Sequence, residues 1–420
     1  LGTHREARVK RLVDALEPGT RVFVPTLTHE SSLLLDELRA DPDRARDVSF
    51  VGVQFPGIDR ADYLSLHGQA RQTAFFMSPS VRRGLLEGRA DLLSLDYPGI
   101  ARHLASAVAI DVAIAQLTPP DADGWCSAGL VSDFVPLVWA RAARRVAHLN
   151  PRVPRTQGSF RVHRSELDFA VEADTPLLAY TEPAVGVLEE RIGRHVATLV
   201  RDGDTLQFGI GSVPLALAAA LADRRSLKLH SGMVSGGMRL LWEAGSLDRD
   251  ARIVTGVVLG DESLHDFAGQ LEALWLTDVS HTHDVRTIAS ISRFVAINTA
   301  VEIDLFGQVN SERSRGTIQA GAGGLPPFAQ GALASLGGRI VICLPSMAKN
   351  GSVSRIVPAL DAQALCTLPR YLADAFVTEH GIAEVRGLSL DARAQALIAI
   401  AAPEHRAALS NAWDTMRRAL

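Results

Sequence analysis

The chain has 420 residues, more than one domain ordinarily holds, so two domains, or one large domain built from two similar halves, is expected. Hydrophobic residues at 47%, charged residues at 21% and a formal net charge of -4 fit a globular protein. They exclude an electrostatic attraction to nucleic acid or an anionic membrane, and leave small molecules or copies of the chain itself as partners.

From the N-terminus, Leu1 to Leu16 is charged and helix-like, without the basic tip and apolar run of a secretory signal. Short β-branched runs then alternate with helical patterns. Thr20–Pro25, Val48–Val53, Val108–Leu117 and Val146–Leu149 read as strands, and Glu30–Leu38, Pro79–Gly88 and Ser132–Arg145 as helices. The apolar run Leu104–Leu117 is interrupted by Asp111 and is too short to span a bilayer. Asp174-Thr175-Pro176 and Glu182-Pro183 break the periodicity ahead of an amphipathic helix at Leu188–Leu199, placing a boundary within 174–187 and giving domains 1–183 and 184–420.

A second series follows. Its strands are Thr205–Phe208, Leu227–His230, Ile253–Leu259, Val295–Asn298, Arg339–Leu344 and Ala375–Thr378, and its helices Pro214–Ala222, Met233–Ala244 and Phe328–Leu336. Alternation of this kind predicts an α/β fold with mostly parallel sheets. The turn Pro18-Gly19-Thr20 feeding one strand parallels Asp202-Gly203-Asp204 feeding another, and Val112–Pro120 parallels Ile340–Pro345, so the halves read as a degenerate repeat. Cys126, Cys343 and Cys366 are odd in number and lack Cys-x-x-Cys spacing, which argues against a disulfide framework and a zinc site and fits a reducing cytoplasm.

Two glycine turns carry the first chemical signal. Gly209-Ile210-Gly211-Ser212-Val213 follows a strand and precedes Pro214, so its backbone amides can approach an anion or a thioester oxygen; a tight βα turn is the plain alternative. Gly321-Ala322-Gly323-Gly324 leads into another helix and suits an extended ligand such as a pantetheine arm. Lys349 is a cation on a loop after a strand that could pair with a phosphate, although on its own a solvated turn residue is the commoner role.

Seven ordered segments resemble the acetyl-CoA hydrolase/transferase family, of the 4-hydroxybutyrate CoA-transferase kind. They are Phe76–Ser80, Thr118–Cys126, Leu229–Gly237, Ala296–Val309, Leu344–Ser346, Ser354–Pro358 and Val377–Ala383. The resemblance implies two pseudo-repeated α/β domains of CoA-transferase architecture with a cleft between them. It also implies coenzyme A as substrate rather than a permanently bound cofactor, no metal, acyl-CoA and small carboxylic acids as partners, and a homo-oligomer. In the family's mechanism a glutamate attacks the acyl-CoA thioester and then holds CoA as a glutamyl thioester. Gly209, Ile210, Gly211, Ser212, Val213, Gly321, Gly323, Gly324 and Lys349 would contact CoA.

The glutamate position is Gly232 in Leu229-His230-Ser231-Gly232-Met233. Gly236 and Pro327 stand where the family commonly has aspartates. Glu30, in Thr28-His29-Glu30 after the first strand, is the foremost substitute carboxylate, with a first-turn helix acid as the alternative. Glu302 beside Asp304 reads as one of a salt-bridged structural pair, and Glu379 and His380 as architectural. His230 could activate a water in the space that Gly232 leaves, though a satisfied core histidine is the commoner role. The sequence thus supports a CoA-transferase with a non-standard site, with an acyl-CoA hydrolase and a non-catalytic CoA binder as alternatives.

Overall fold

The computed structural model describes residues 10–314, 316–348 and 351–419. It forms two compact units. The first comprises the described residues to Leu93, with His103–Arg155 and Ser159–Leu178; the second comprises Ser94–Arg102, Thr156–Gly158 and the chain from Ala179 onward. The chain passes for the last time from the first unit to the second between Leu178 and Ala179, and two short segments of the N-terminal half belong to the second unit.

The strands of the two large sheets are numbered in chain order. Unit one holds β1 (Arg21–Phe23), β2 (Ser49–Val51), β3 (Arg71–Ala74), β4 (Ala90–Leu92), β5 (Val112–Leu117), β6 (Arg144–Leu149) and β7 (Phe169–Glu172), in the order β4-β3-β2-β1-β5-β6-β7. All are parallel. Every residue of β5 is buried, which is why that segment is a continuous apolar run rather than an alternating one.

Unit two holds β8 (Thr205–Phe208), β9 (Lys228–Val234), β10 (Ile253–Val258), β11 (Leu274–Leu276), β12 (Phe294–Thr299), β13 (Arg339–Cys343), β14 (Ala375–Thr378) and β15 (Gly381–Glu384). Their order is β11-β10-β9-β8-β12-β13-β14-β15, parallel but for the last strand. Seven strands therefore occupy equivalent places in each unit, as the paired turns suggested. Beyond β12, an apolar core including Phe294, Phe328, Ile340, Phe376 and Trp413 closes the second unit, and Trp413 Nε1 donates to Asp391 at 2.8 Å.

The helices include α1 (Ser32–Ala40), α2 (Pro79–Leu86), α3 (Tyr97–Arg102), α4 (Val135–Trp139), α5 (Val187–Ala197), α6 (Ser212–Ala220), α7 (Gly236–Glu243), α8 (Glu262–Gln270), α9 (Val279–Thr282) and α10 (Leu325–Ala334), and two more, Leu390–Ala399 and Pro403–Met416, follow near the C-terminus. The Ser-Pro-Ser segment is a helix start: Ser78 Oγ accepts from the Val81 amide at 3.2 Å, with Pro79 in the first turn. The Asp121–Gly124 turn is stapled by Asp121 Oδ1, which accepts from the amides of Asp123 and Trp125.

Three expectations require correction. The helix expected over Ser132–Arg145 is only α4, because Arg144 already begins β6. The strand expected from Val108 starts at Val112, the residues before it forming a wide turn over His103–Ala107. Met233 is not helical: β9 runs on to Val234 in unbroken register with β10, and α7 begins at Gly236, so Gly232 lies inside the strand. Among the described residues no helix is long and apolar enough to cross a membrane.

Candidate active site

In unit two the strand order reverses between β8 and β12, and the loops leaving their carboxyl ends diverge. Open parallel sheets bind ligands in the crevice so formed. The geometry here is that of the first glycine turn. Gly211 has φ +109°, which side-chain-bearing residues rarely adopt, and it caps the N-terminus of α6. A Cβ on Gly209 or Gly211 would meet nothing within 4 Å. The turn borders a cavity of about 100 Å³ that Ile210, Val213, Asn298, Thr299 and Cys343 also line. Burial pushes the Cys343 thiol up to about 12, so it lines the cavity as an unreactive thiol. The equivalent crevice of unit one, bordered by Pro25, Gln116 and Phe134, encloses about 10 Å³, space for a single water.

At the C-terminal end of β9, the space beside Gly232 is not vacant. A Cβ at position 232 would stand 2.5 Å from His283 Cε1 and 2.7 Å from His283 Nε2. The second glycine turn meets the same ring edge, since a Cβ at Gly324 would stand 2.7 Å from His283 Nε2. His283 follows α9 and is 3% exposed, its ring centroid 4.4 Å from that of Tyr97 and 4.6 Å from that of Phe328. Thr282 Oγ1 lies 2.8 Å from His283 Nδ1, a hydrogen bond whose donor depends on the ring tautomer, and 3.3 Å from the Asp278 carbonyl. Burial holds the imidazole pKa well below the ordinary value, with a smaller effect from His230, and the ring is neutral at physiological pH. The expectation of a water-filled gap at Gly232 is therefore corrected: an imidazole fills it.

His230 is itself a satisfied core histidine. Its Nε2 is 2.9 Å from the Thr282 carbonyl, and burial lowers its pKa to about 4. Ser231 Oγ is spent on the Phe208 carbonyl at 3.0 Å. The other two departures from the family pattern have local structural accounts. The Gly236 amide at the start of α7 donates to Glu182 Oε1 at 2.8 Å, so a carboxylate from another segment serves the helix terminus. Pro327 sits in the first turn of α10, where the missing amide costs little.

In unit one, Glu30 precedes α1 rather than entering it, and its side chain organises a loop. Oε2 accepts from the amides of Arg60 and Ala61 at 2.9 and 2.8 Å, while burial raises the carboxyl pKa against those bonds. Beside it, Asp59 accepts from the amides of Leu27 and Phe55, both at 2.6 Å, and burial pushes its pKa up to about 7. Leu27 is held at φ +57°, a costly conformation for that residue which the Asp59 bond helps to fix.

Glu302 and Asp304 form no ion pair among the described residues, contrary to expectation. Glu302 accepts from Asn310 Nδ2, and Asp304 from the amides of Phe306, Gln308 and Leu360 and the Gln308 side chain. Glu379 takes both bonds of Ser346, at 2.9 and 2.6 Å, a structural role as expected. Lys349 lies outside the described residues. Among the described residues no group of three or more His, Cys, Asp or Glu side chains could hold a metal ion. His283 was missed because it sits in no resembling segment; its only signal was the tight pair His281-Thr282-His283 in a chain with 13 histidines.

A duplicated doubly wound sheet with a switch-point cavity defines an α/β enzyme scaffold. Residues 14–182 match the acetyl-CoA hydrolase/transferase N-terminal domain and residues 260–413 the corresponding C-terminal domain. The chain belongs to the acetyl-CoA hydrolase/transferase family. It is 34% identical to a 4-hydroxybutyrate coenzyme A transferase of Clostridium kluyveri, over 96% of this chain and 95% of that one. It is also 34% identical to a succinyl-CoA:cyclohexane-1-carboxylate CoA transferase of Geobacter metallireducens, over 82% and 80% of the two chains. The crystal structure of RipA from Yersinia pestis matches at 28% identity with a TM-score of 0.89, covering 96% of each chain.

Proposed function

We propose that the protein is a CoA-transferase that moves CoA between small carboxylic acids, taking up an acyl-CoA at the β8/β12 crevice of unit two. The observation that carries this reading is the open glycine-turn cavity in a chain that aligns almost end to end with relatives named as CoA transferases. In it, Gly209–Val213 and the amides of α6 face the CoA, and Gly321–Gly324 lie along its extended arm. Coenzyme A enters as substrate, and the route needs no resident cofactor. We also take the protein to be a cytoplasmic homo-oligomer, to be checked by light scattering.

Glu30 is the carboxylate to test as nucleophile: Oε2 already accepts two backbone amides, while burial raises the carboxyl pKa against those bonds. The test is to incubate the purified protein with butyryl-CoA, acetyl-CoA or 4-hydroxybutyryl-CoA and a second acid, and to follow new acyl-CoA by mass spectrometry. Acceptor-dependent exchange is the expected result; absence of both exchange and CoA release across the panel sinks the reading and leaves a silent binder. The matched family models, whose names take in hydrolase as well as transferase, favour a second reading, hydrolysis, which would appear as CoA release without any acceptor.

A further inference from the structure

We infer that the cavity beside the first glycine turn seats the acyl group of the donor, and that it selects a short, uncharged chain of propanoyl or butyryl length. The inference rests on the reading above, that acyl-CoA is taken up at the β8/β12 crevice, and names the substrate class of that site. Size is the first ground. The cavity encloses about 100 Å³, against ~30 Å³ for one water's share of the liquid, so roughly three methyl-sized groups fit. A butyryl group carries that many carbons beyond its thioester carbonyl, whereas a pantetheine arm or a nucleotide is several times larger.

The fold gives this space a rim and a floor. Val213 and Leu217 lie one turn apart on the same face of α6, and Val196 of α5 lines the cavity with them. Val196 and Leu217 are fully buried and close the inner end, while Thr299 is exposed and the glycine turn is half-buried at the outer end. A Cβ on Gly209 or Gly211 would meet nothing within 4 Å, so the turn's backbone is open at that rim. A thioester carbonyl held there meets the first-turn amides of α6, which have no partner inside the helix. Its carbon tail then points between α5 and α6 towards Leu217.

The lining decides the chemistry of that tail. Among the described residues, no side chain around the cavity is charged. Asn298 is engaged elsewhere, with Nδ2 donating to Gln207 Oε1 at 2.9 Å and its carbonyl accepting from Cys343 Sγ at 3.4 Å. A terminal carboxylate, such as that of a succinyl group, would lose its water there and meet no cation, which is costly. An aliphatic tail loses nothing and gains apolar contact with Ile210, Val213 and Ile297.

A chain-length profile tests this. The wild-type protein is given acetyl-, propanoyl-, butyryl-, hexanoyl-, octanoyl- or succinyl-CoA with deuterated acetate as common acceptor, and labelled acetyl-CoA and free CoA are followed by mass spectrometry. For whichever product forms, kcat/KM should peak at propanoyl or butyryl, fall at least ~10-fold by hexanoyl, and lie at least ~100-fold below the peak for succinyl. Leu217→Ala deepens the floor and should move the peak to hexanoyl. Should that variant melt early, Val213→Leu, which shortens the seat, should lower the butyryl-to-acetyl ratio at least ~10-fold. A profile without that peak, succinyl-CoA within a few-fold of butyryl-CoA, or folded variants that keep the wild-type profile, overturns the acyl seat while leaving CoA transfer standing. A wild-type protein that neither exchanges nor releases CoA with any donor overturns both.

Discussion

Because a Cβ at position 232 would stand 2.5 Å from His283 Cε1, in a shell already filled by Tyr97 and Phe328, the two positions must be coupled energetically. Gly232→Glu alone displaces the imidazole and should cost roughly 2–4 kcal/mol by overpacking. In Gly232→Glu/His283→Ala, the ring's volume is free for the new side chain, and much of that loss should return. A double-mutant cycle by urea unfolding should give a coupling of at least about 1 kcal/mol; strict additivity would mean that the ring can swing away without cost. The sequence made the glycine conspicuous, since a resembling segment with one unlike residue stands out. The residue that fills the gap lies 51 positions along the chain by its numbering, and only the return of α9 beneath β9 brings it there, a tertiary contact that neither spacing nor periodicity encodes.

The β8 turn joined to α6 separates folding from binding within one loop. Gly211 needs its positive φ, so Gly211→Ala strains the backbone and should lower stability by about 1 kcal/mol or more. Gly209 has no such requirement and faces open space, so Gly209→Ala should leave the melting temperature nearly unchanged while its methyl narrows the cavity and raises KM for acyl-CoA several-fold. Thermal melts and initial rates on both variants decide this; an unchanged KM in Gly209→Ala would remove the turn from the CoA path. The buried strands β8, β12 and β14 were legible as short β-branched and apolar runs, by length and composition rather than by alternation. The three-residue strands β4 and β11 were not, because so few residues carry no period. The end of β9 was misread for a related reason. Ser231-Gly232-Met233 has little strand propensity, and the pairing of Met233 and Val234 with Val257 and Val258 is what holds it extended.

Across the whole molecule, buried titrating groups set opposite limits on pH stability. His230 is depressed to about 4 in the fold, so its contribution is fully present above the unfolded value near 6.5 and is lost as pH falls from there towards 4. Asp59 is raised to about 7, so its contribution is complete below the unfolded value of 3.8 and is lost as pH climbs through 7, by roughly 4 kcal/mol at full ionisation. Between pH 4 and 7 the two contributions run in opposite directions, His230 favouring the fold as pH rises and Asp59 as pH falls, so the unfolding free energy contributed by this pair should be nearly level there; His230→Gln should leave a decline towards pH 7 and Asp59→Asn a decline towards pH 4. If both variants track the wild-type profile, these two groups do not set it.

The unequal crevices of the two units carry a consequence for stoichiometry. A repeat that places seven strands alike in each half would ordinarily be expected to present two equivalent ligand seats. Here one seat is packed down to the size of a single water and the other is left open. A calorimetric titration should therefore count one CoA for each chain, and a count of two would mean that the closed seat opens when ligand arrives.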